Sequence, residues 1–339
     1  MAIWDPPAEL AILTYDGCAQ STVHGLTELF AVATNCARRH IGVNAPMLRV
    51  SHWAPNADTV SIDCVFDTHT ALAHRIVAAI VPGSWKGEPD AGTKKQLGRW
   101  LAERHLAGAT LCSVCGGAFI LAETGLLAGR SATTHWDFTG QLAERYPDIR
   151  VDENRIVVED GNFITAGGVL AWTDLALKLV DRHLGPTIMI ETARYMLADP
   201  PGREQRYYSN FSPRLHHGDA AILKVQHWLQ SRAASPPSIS EMASVSGLED
   251  RTFLRRFQKA TGHKPTEYSQ RLRVGKAREM LEFTNRSIDL IASSIGYEDP
   301  ASFRKVFLRV VGMSPSAYRR RFAATGSGAP PANHGTAAV

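Results

Sequence analysis

No stretch of the 339 residues carries the roughly 20 consecutive apolar side chains that a membrane-crossing helix needs. The first ten residues hold Asp5, Pro6, Pro7 and Glu9, and lack the basic start and apolar core of a secretory signal. A cytoplasmic protein with no membrane partner is therefore expected. Cysteine is scarce. Cys18, Cys36, Cys64, Cys112 and Cys115 are the full set, all within the first 115 residues. An odd, irregularly spaced set argues against a disulfide framework. Cys112 and Cys115 form a C-x-x-C, but no second pair and no H-x-x-x-H accompanies it. Neither a metal nor a cofactor is expected. Net charge is also small, only +4. That small excess is unevenly placed: residues 238–323 hold 16 basic and 9 acidic side chains, a net of +7, and the remainder is −3. A basic module joined to a mildly acidic one points to a polyanion partner for the C-terminal part.

What is present falls into two patterns. Over the first 185 residues, short apolar runs alternate with segments of helical spacing. Residues 10–15, 48–53, 59–65, 76–81 and 109–114 read as strands, and 22–39, 94–106, 117–127 and 169–183 as helices. Residues 155–158 and 162–165, separated by Glu159-Asp160-Gly161, read as a hairpin. Such alternation predicts a largely parallel sheet with helices on both faces, an α/β flavodoxin-like domain over residues 1–198. Residues 199–218 hold Pro200-Pro201-Gly202, several arginines and His216-His217, and are expected to be a linker. An all-helical domain is expected over 219–322. The Ala-, Gly- and Pro-rich stretch 323–339 is expected to be a disordered tail.

The helical part contains a duplication. Ala243-x-x-x-Gly247-Leu248-Glu249-Asp250 recurs as Ala292-x-x-x-Gly296-Tyr297-Glu298-Asp299. Phe253, Phe257, Gly262, Pro265 and Tyr268 recur as Phe303, Phe307, Gly312, Pro315 and Tyr318. Each copy fits a helix-turn-helix. Ser238 and Glu241 have the spacing of a capping box. Gly247 suits the left-handed turn, and the phenylalanine pairs, four residues apart, suit the buried face of a second helix. Pro300 can open the second of these helices, where its missing N–H is harmless. The opposite faces then carry Arg251, Leu254, Arg255 and Gln258 in one copy and Ala301, Ser302, Arg304 and Lys305 in the other, several of them side chains suited to base edges and phosphates in a major groove. Residues 271–281 read as a helix joining the two copies.

This segment resembles the DNA-binding domain of the AraC/XylS family of transcription regulators, over about 219–322. The resemblance implies two helix-turn-helix units set in successive major grooves of a double-stranded DNA operator. By motif it places base-reading roles at Arg251, Leu254 and Arg255, and at Ala301, Ser302, Arg304 and Lys305. It also implies RNA polymerase as a partner and transcriptional activation as the outcome.

In the first domain, Cys115 lies between an apolar strand and Gly116-Gly117-Ala118. A residue on such a strand-to-helix turn presents its side chain at the top of the sheet, where the helix start is expected to lower a thiol pKa. Thr133-Thr134-His135-Trp136 follows a short strand, so His135 could approach Cys115, and Cys with His is the core of a nucleophile site. Val81-Pro82-Gly83, the segment 113–118, Gly125-Leu126-Leu127-x-Gly129-Arg130, the segment 132–136 and Thr165-Ala166-Gly167-Gly168 together resemble the type-1 glutamine amidotransferase-like superfamily. The nearest branch is the one fused to AraC-type DNA-binding domains. By that resemblance Cys115 is the elbow residue, His135 its partner, and Gly83 a backbone donor beside it. Hydrolytic members place an acid near the elbow from the loop after the first strand. Here residues 18–25 read CAQSTVHG, without a carboxylate, and Glu28 lies a turn further on.

Two readings compete. One is a ligand-responsive regulator, with Cys115 and His135 a vestigial catalytic pair and Gly83, Cys115, Gly116 and His135 lining an effector pocket. The other is an amidase- or hydratase-like cysteine enzyme that also binds DNA. The missing carboxylate favours the first, a non-enzyme. The branch resemblance implies a small nitrogenous effector, such as an amino acid or quaternary amine, and a homodimer.

Overall fold

In the computed structural model the apolar runs of the first domain lie side by side as strands. The structure describes residues 7–41, 48–56, 58–70, 75–211, 213–232 and 237–324. The chain divides into two units, Met1–Gln205 and Arg206–Val339. The tail expected over 323–339 lies outside the described residues from 325 onward.

The strands of the first unit are β1 (Ala8–Leu13), β2 (Leu48–Pro55), β3 (Ile62–Asp67), β4 (Arg75–Val81), β5 (Thr110–Val114), β6 (Ser131–Ala132), β7 (Arg150–Val151), β8 (Val157–Asp160) and β9 (Phe163–Ala166). Seven of them form one sheet in the order β3-β2-β1-β4-β5-β9-β8, and β6 and β7 pair separately. β2, β1, β4, β5 and β9 run parallel. This is the flavodoxin-like order. The expected hairpin is present as β8 paired antiparallel with β9, and the other edge strand, β3, also pairs with β2 in antiparallel fashion. Both edge strands are joined to their neighbours by short loops, too short for a parallel crossover. The central strands are wholly buried from Leu10 to Leu13 and from Ala78 to Val81, as a sheet covered on both faces requires.

The helices are α1 (Gln20–Ile41), α2 (Ala91–Leu106), α3 (Gly117–Glu123), α4 (Thr139–Arg145), α5 (Trp172–Leu184) and α6 (Pro186–Tyr195). Helices α1, α5 and α6 pack on one another, as do α2 and α3. Helix α3 stops earlier than its spacing suggests, because Gly125 turns the chain with φ 75°. The helix expected from 169 begins as a single 3-10 turn, Val169–Ala171, before α5.

The second unit is helical: α7 (Ala220–Ser231), α8 (Ile239–Ser246), α9 (Asp250–Thr261), α10 (Pro265–Phe283), α11 (Ile288–Ser294), α12 (Pro300–Val311) and α13 (Pro315–Phe322). Its two copies bury the same aromatic pattern. Phe253, Phe257 and Tyr268 stack edge to face in one, and Phe303, Phe307 and Tyr318 in the other, with ring centres 5.2–5.6 Å apart. Helix α10 is longer than the joining helix read from the sequence. It gives Tyr268 to the first cluster and Val274, Ala277 and Leu281 to the second.

The stretch expected as a linker is divided between the units. Arg203 pairs with the buried Asp174 of α5 at 2.5 Å, and the side-chain amide of the buried Gln205 donates to the Thr133 hydroxyl at 2.9 Å. From Arg206 on, the chain straps across the second unit. Arg278 of α10, almost wholly buried, donates to the carbonyls of Arg206 (2.7 Å) and Ser209. Phe211 stacks on Tyr268 of the first copy at 5.0 Å. Arg206 and Tyr207 cover Gly312 at the end of α12. Composition marked these residues as a linker because their partners lie far away in sequence.

The strap makes the two matched glycines unequal. Gly262 and Gly312 end α9 and α12 with φ of 76° and 87°. A Cβ on Gly262 would meet nothing within 4 Å, whereas one on Gly312 would lie 2.4 Å from Arg206 Nε and 2.7 Å from Tyr207 Cε1. Gly262→Ala is expected to cost about 1–2 kcal/mol, the left-handed penalty alone. Gly312→Ala should cost about 1–3 kcal/mol more, by overpacking. Urea denaturation of the full chain, followed by far-UV circular dichroism, measures both. Equal losses would mean that the strap does not rest on the α12 end.

Candidate functional site

Strand order creates a crevice at the carboxyl ends of β1 and β4, where the chain leaves the sheet in opposite directions. The two loops are stitched together there. The Ala19 N–H donates to the Gly83 carbonyl at 2.8 Å, and the Trp85 N–H to the Gly17 carbonyl at 2.9 Å. Cys18 and Ser84 form an isolated bridge.

Cys115 closes β5 beside this crevice with a left-handed φ of 54°. A non-glycine residue in such a conformation is held at a cost of about 1–3 kcal/mol. Its surroundings impose it. The Cys115 N–H donates to the Ala166 carbonyl at 2.8 Å, and the Thr134 hydroxyl donates to the Cys115 carbonyl at 2.8 Å. Two glycines allow the loops to close. A Cβ on Gly83 would lie 3.1 Å from the Cys115 Cβ and 3.2 Å from the Gly116 nitrogen. One on Gly117 would lie 2.3 Å from the Val81 carbonyl oxygen. Gly83, Cys115 and Gly116 are thus in contact.

The thiol does not behave as the elbow position suggests. Burial pushes the Cys115 pKa up, and the hydrogen bond from the Gly116 N–H offsets this only in part. The expected lowering by the helix start is corrected: removing the thiolate from water outweighs the short helix. His135 shifts the opposite way. Burial lowers its pKa, and Asp137 opposes that weakly. Its ring lies against Trp136 and Phe138, and its Nδ1 accepts from the Asp137 N–H at 3.2 Å. Among the described residues no hydrogen bond joins His135 to Cys115; the link runs through Thr134 instead. Both shifts favour the neutral forms, so a thiolate–imidazolium pair is opposed from both sides.

The loop after β1 supplies no acid to the thiol. Asp16 is exposed and paired with Lys86 at 2.9 Å, and Glu28 is exposed on α1. Cys18 is buried there instead, its sulfur accepting from the Gln20 amide at 3.3 Å. Sequence reasoning missed Tyr15. Its buried hydroxyl donates to the Pro82 carbonyl at 2.6 Å, and its pKa is driven up by burial and by the Cys18 and Cys115 thiols nearby. Thr134 and Gln205 were also missed, although Gln205 bonds to both Thr133 and the Thr134 carbonyl, at 2.9 and 3.2 Å. Nothing local in sequence marks contacts that span 67–72 residues. Cys112 lies wholly inside β5, and burial pushes its thiol up to about 12.

The second unit carries two helix-turn-helix faces. Ser238 and Glu241 form the expected capping box on α8. Gly247 and Gly296 turn the chain with φ of 69° and 81°. Arg251, Leu254, Arg255 and Gln258 are exposed on α9, and Ala301, Arg304, Lys305 and Leu308 at the matching positions of α12, with Ser302 exposed beside them. The faces differ in what they leave available. Arg251 and Arg255 have no ion pair or hydrogen bond among the described residues. Arg304, in contrast, is tied to Asp289 of α11 at 2.5 Å, and the Ser302 hydroxyl donates to the cap residue Asp299 at 2.7 Å. Leu308, the counterpart of Gln258 and half exposed in line with Arg304, was not singled out from the sequence because it is apolar.

These two sites agree with what the chain is similar to. Residues 10–182 match the DJ-1/PfpI family, and residues 242–321 match a helix-turn-helix domain of AraC type. The HTH-type transcriptional regulator CdhR of Pseudomonas aeruginosa is 29% identical over 255 residues, which cover 74% of this chain and 75% of that one. The HTH-type transcriptional regulator GlxA of Rhizobium meliloti is 28% identical over 217 residues, 63% of this chain and 66% of that one. A crystal structure of an AraC family transcriptional regulator from Pseudomonas putida is 17% identical and covers 56% of this chain and all of its own, with a TM-score of 0.43. With its first unit matched over more than half of the chain and its second built as a paired helix-turn-helix, the protein belongs to the DJ-1/PfpI family and is a DNA-binding transcriptional regulator of the AraC type.

Proposed function

We propose that the chain is a homodimeric activator that reads an operator through both helix-turn-helix units and recruits RNA polymerase. Its DJ-1/PfpI-like unit is a receptor for a small nitrogenous metabolite rather than an enzyme. The observation that carries the DNA-reading part is the matched pair of exposed faces on α9 and α12, set opposite buried phenylalanines. Arg251, Leu254 and Arg255 read bases from α9, and Ala301, Ser302, Arg304 and Lys305 contact DNA from α12. Because Arg304 and Ser302 are already engaged, discrimination is concentrated in the first unit. The receptor part is supported by the elbow. Gly83, Cys115 and Gly116 meet at the switch point of the sheet, with His135 one residue from the Thr134 clamp, and burial disfavours both the Cys115 thiolate and the charged His135 ring. Activation is the direction implied by the AraC/XylS resemblance.

Three outcomes are expected. The full chain should select a specific duplex from a random pool. On that duplex Arg255→Ala should lose about 1–3 kcal/mol of binding, with much less lost on random DNA. Fluorescence anisotropy measures both, and an equal loss on all duplexes would make Arg255 a phosphate contact. Asp289→Asn releases Arg304, so binding should tighten and the slope of log K against log salt should steepen by about 1. An unchanged slope would remove Arg304 from the phosphate-facing set. Finally, alkylation of Cys115 by iodoacetamide, followed by mass spectrometry across pH, should be slow at neutrality. It should still be rising at pH values where an ordinary thiol has levelled off. A rate that levels off at lower pH would reveal a stabilised thiolate and favour the enzyme reading.

A further inference from the structure

We propose that the first unit holds a second ligand site, an anion-binding cavity that takes a small carboxylate with an apolar tail, next to the elbow and separate from it. A cavity of about 860 Å3 opens at the carboxyl ends of β1 and β2, bounded by the first two turns of α2. That volume lies within the usual range of small-molecule sites, and the position is where open α/β sheets bind ligands.

Its walls differ in chemistry. Ala54, Pro55 and Val60 make one side apolar, and Tyr15 forms part of the boundary. The Tyr15 hydroxyl is already committed to the Pro82 carbonyl at 2.6 Å, so this ring marks the division between cavity and elbow. The other side carries Lys95 and Arg99, one turn apart on α2. Both are exposed, and neither has an ion pair or hydrogen bond among the described residues. Like charges at this spacing repel each other. The acids lining the cavity do not neutralise them. Asp16 is held by Lys86 at 2.9 Å. Asp90 caps α2, accepting from the N–H groups of Gly92 and Thr93 at 2.8 and 3.1 Å and from the Thr93 hydroxyl at 2.6 Å. That cap also occupies the first N–H groups of the helix, so an entering anion is left to the two side chains. Two unpaired cations facing an apolar wall are complementary to a carboxylate on a short hydrocarbon body, and a charge-assisted pair forms best where part of the ligand is out of water.

The proposal deepens the receptor reading, on which its meaning for transcription rests. The elbow is read as the effector's site, and this cavity as a separate site for a carboxylate with an apolar tail.

The test is calorimetric titration of the full chain with hexanoate and with its neutral isostere hexanamide. Hexanoate should bind saturably, and hexanamide about tenfold more weakly. Lys95→Gln combined with Arg99→Gln should make acid and amide equivalent, Lys95→Arg with Arg99→Lys should keep the preference, and Cys115→Ala should leave it unchanged. The proposal is overturned if hexanoate does not saturate, if the amide binds as well as the acid, if the preference survives the double glutamine variant, or if Cys115→Ala abolishes it. Duplex binding measured with and without hexanoate separates the two readings. Charge-dependent hexanoate binding with no change in DNA affinity supports the cavity while removing its receptor role.

Discussion

The elbow depends on one close approach of backbone to backbone. At Gly117 the chain after β5 passes so near the end of β4 that a single added carbon would lie 2.3 Å from the Val81 oxygen and 2.8 Å from the Pro82 oxygen. Everything nearby follows from that fit. Gly83 must also lack a side chain, Cys115 is driven into the left-handed region, and the loops after β1 and β4 are drawn into hydrogen-bonding range. Tyr15 then fastens Pro82 from the other side. The geometry that presents a side chain at the top of the sheet is therefore a packing constraint, and it persists whether or not chemistry is done there.

This separates shape from reactivity. A strained turn positions Cys115, but position alone does not ionise a thiol. The short helix after it and one backbone hydrogen bond are set against burial, and burial prevails. Burial also lowers the pKa of His135, against the positive charge that would favour a thiolate. What remains is a backbone arrangement that fixes the position of Cys115 while burial disfavours its ionised form.

The fold was legible where each signal was local. Apolar runs marked the buried central strands, and the repeated Gly and Phe spacing marked both helix-turn-helix units. The sheet edges were harder to read: β3 lies three residues later at its start than expected, because Val65 and Phe66 are apolar yet exposed there. At the elbow, Gly83, Cys115 and Gly116 could be brought together from motifs alone. Tyr15, Thr134 and Gln205 could not, since each acts through a contact distant in sequence. On the DNA-facing helices, spacing identified which residues face outward. It gave no sign that Asp289 holds Arg304, because that pair joins two different helices.

The strap from Arg206 to Phe211 has a consequence for what counts as the DNA-binding module. The duplication suggests a self-contained pair of repeats starting near α7. Yet Arg278, buried in α10, has two of its hydrogen-bond acceptors on residues that precede that start, and Tyr268 has one of its stacking partners there. Cutting the chain at Asp219 would strand a guanidinium in the interior and bare one side of an aromatic cluster. Cutting it at Arg206 would leave both satisfied. The heritable unit, the piece that could be grafted onto another receptor with its stability intact, is therefore longer than the repeat that first reveals it.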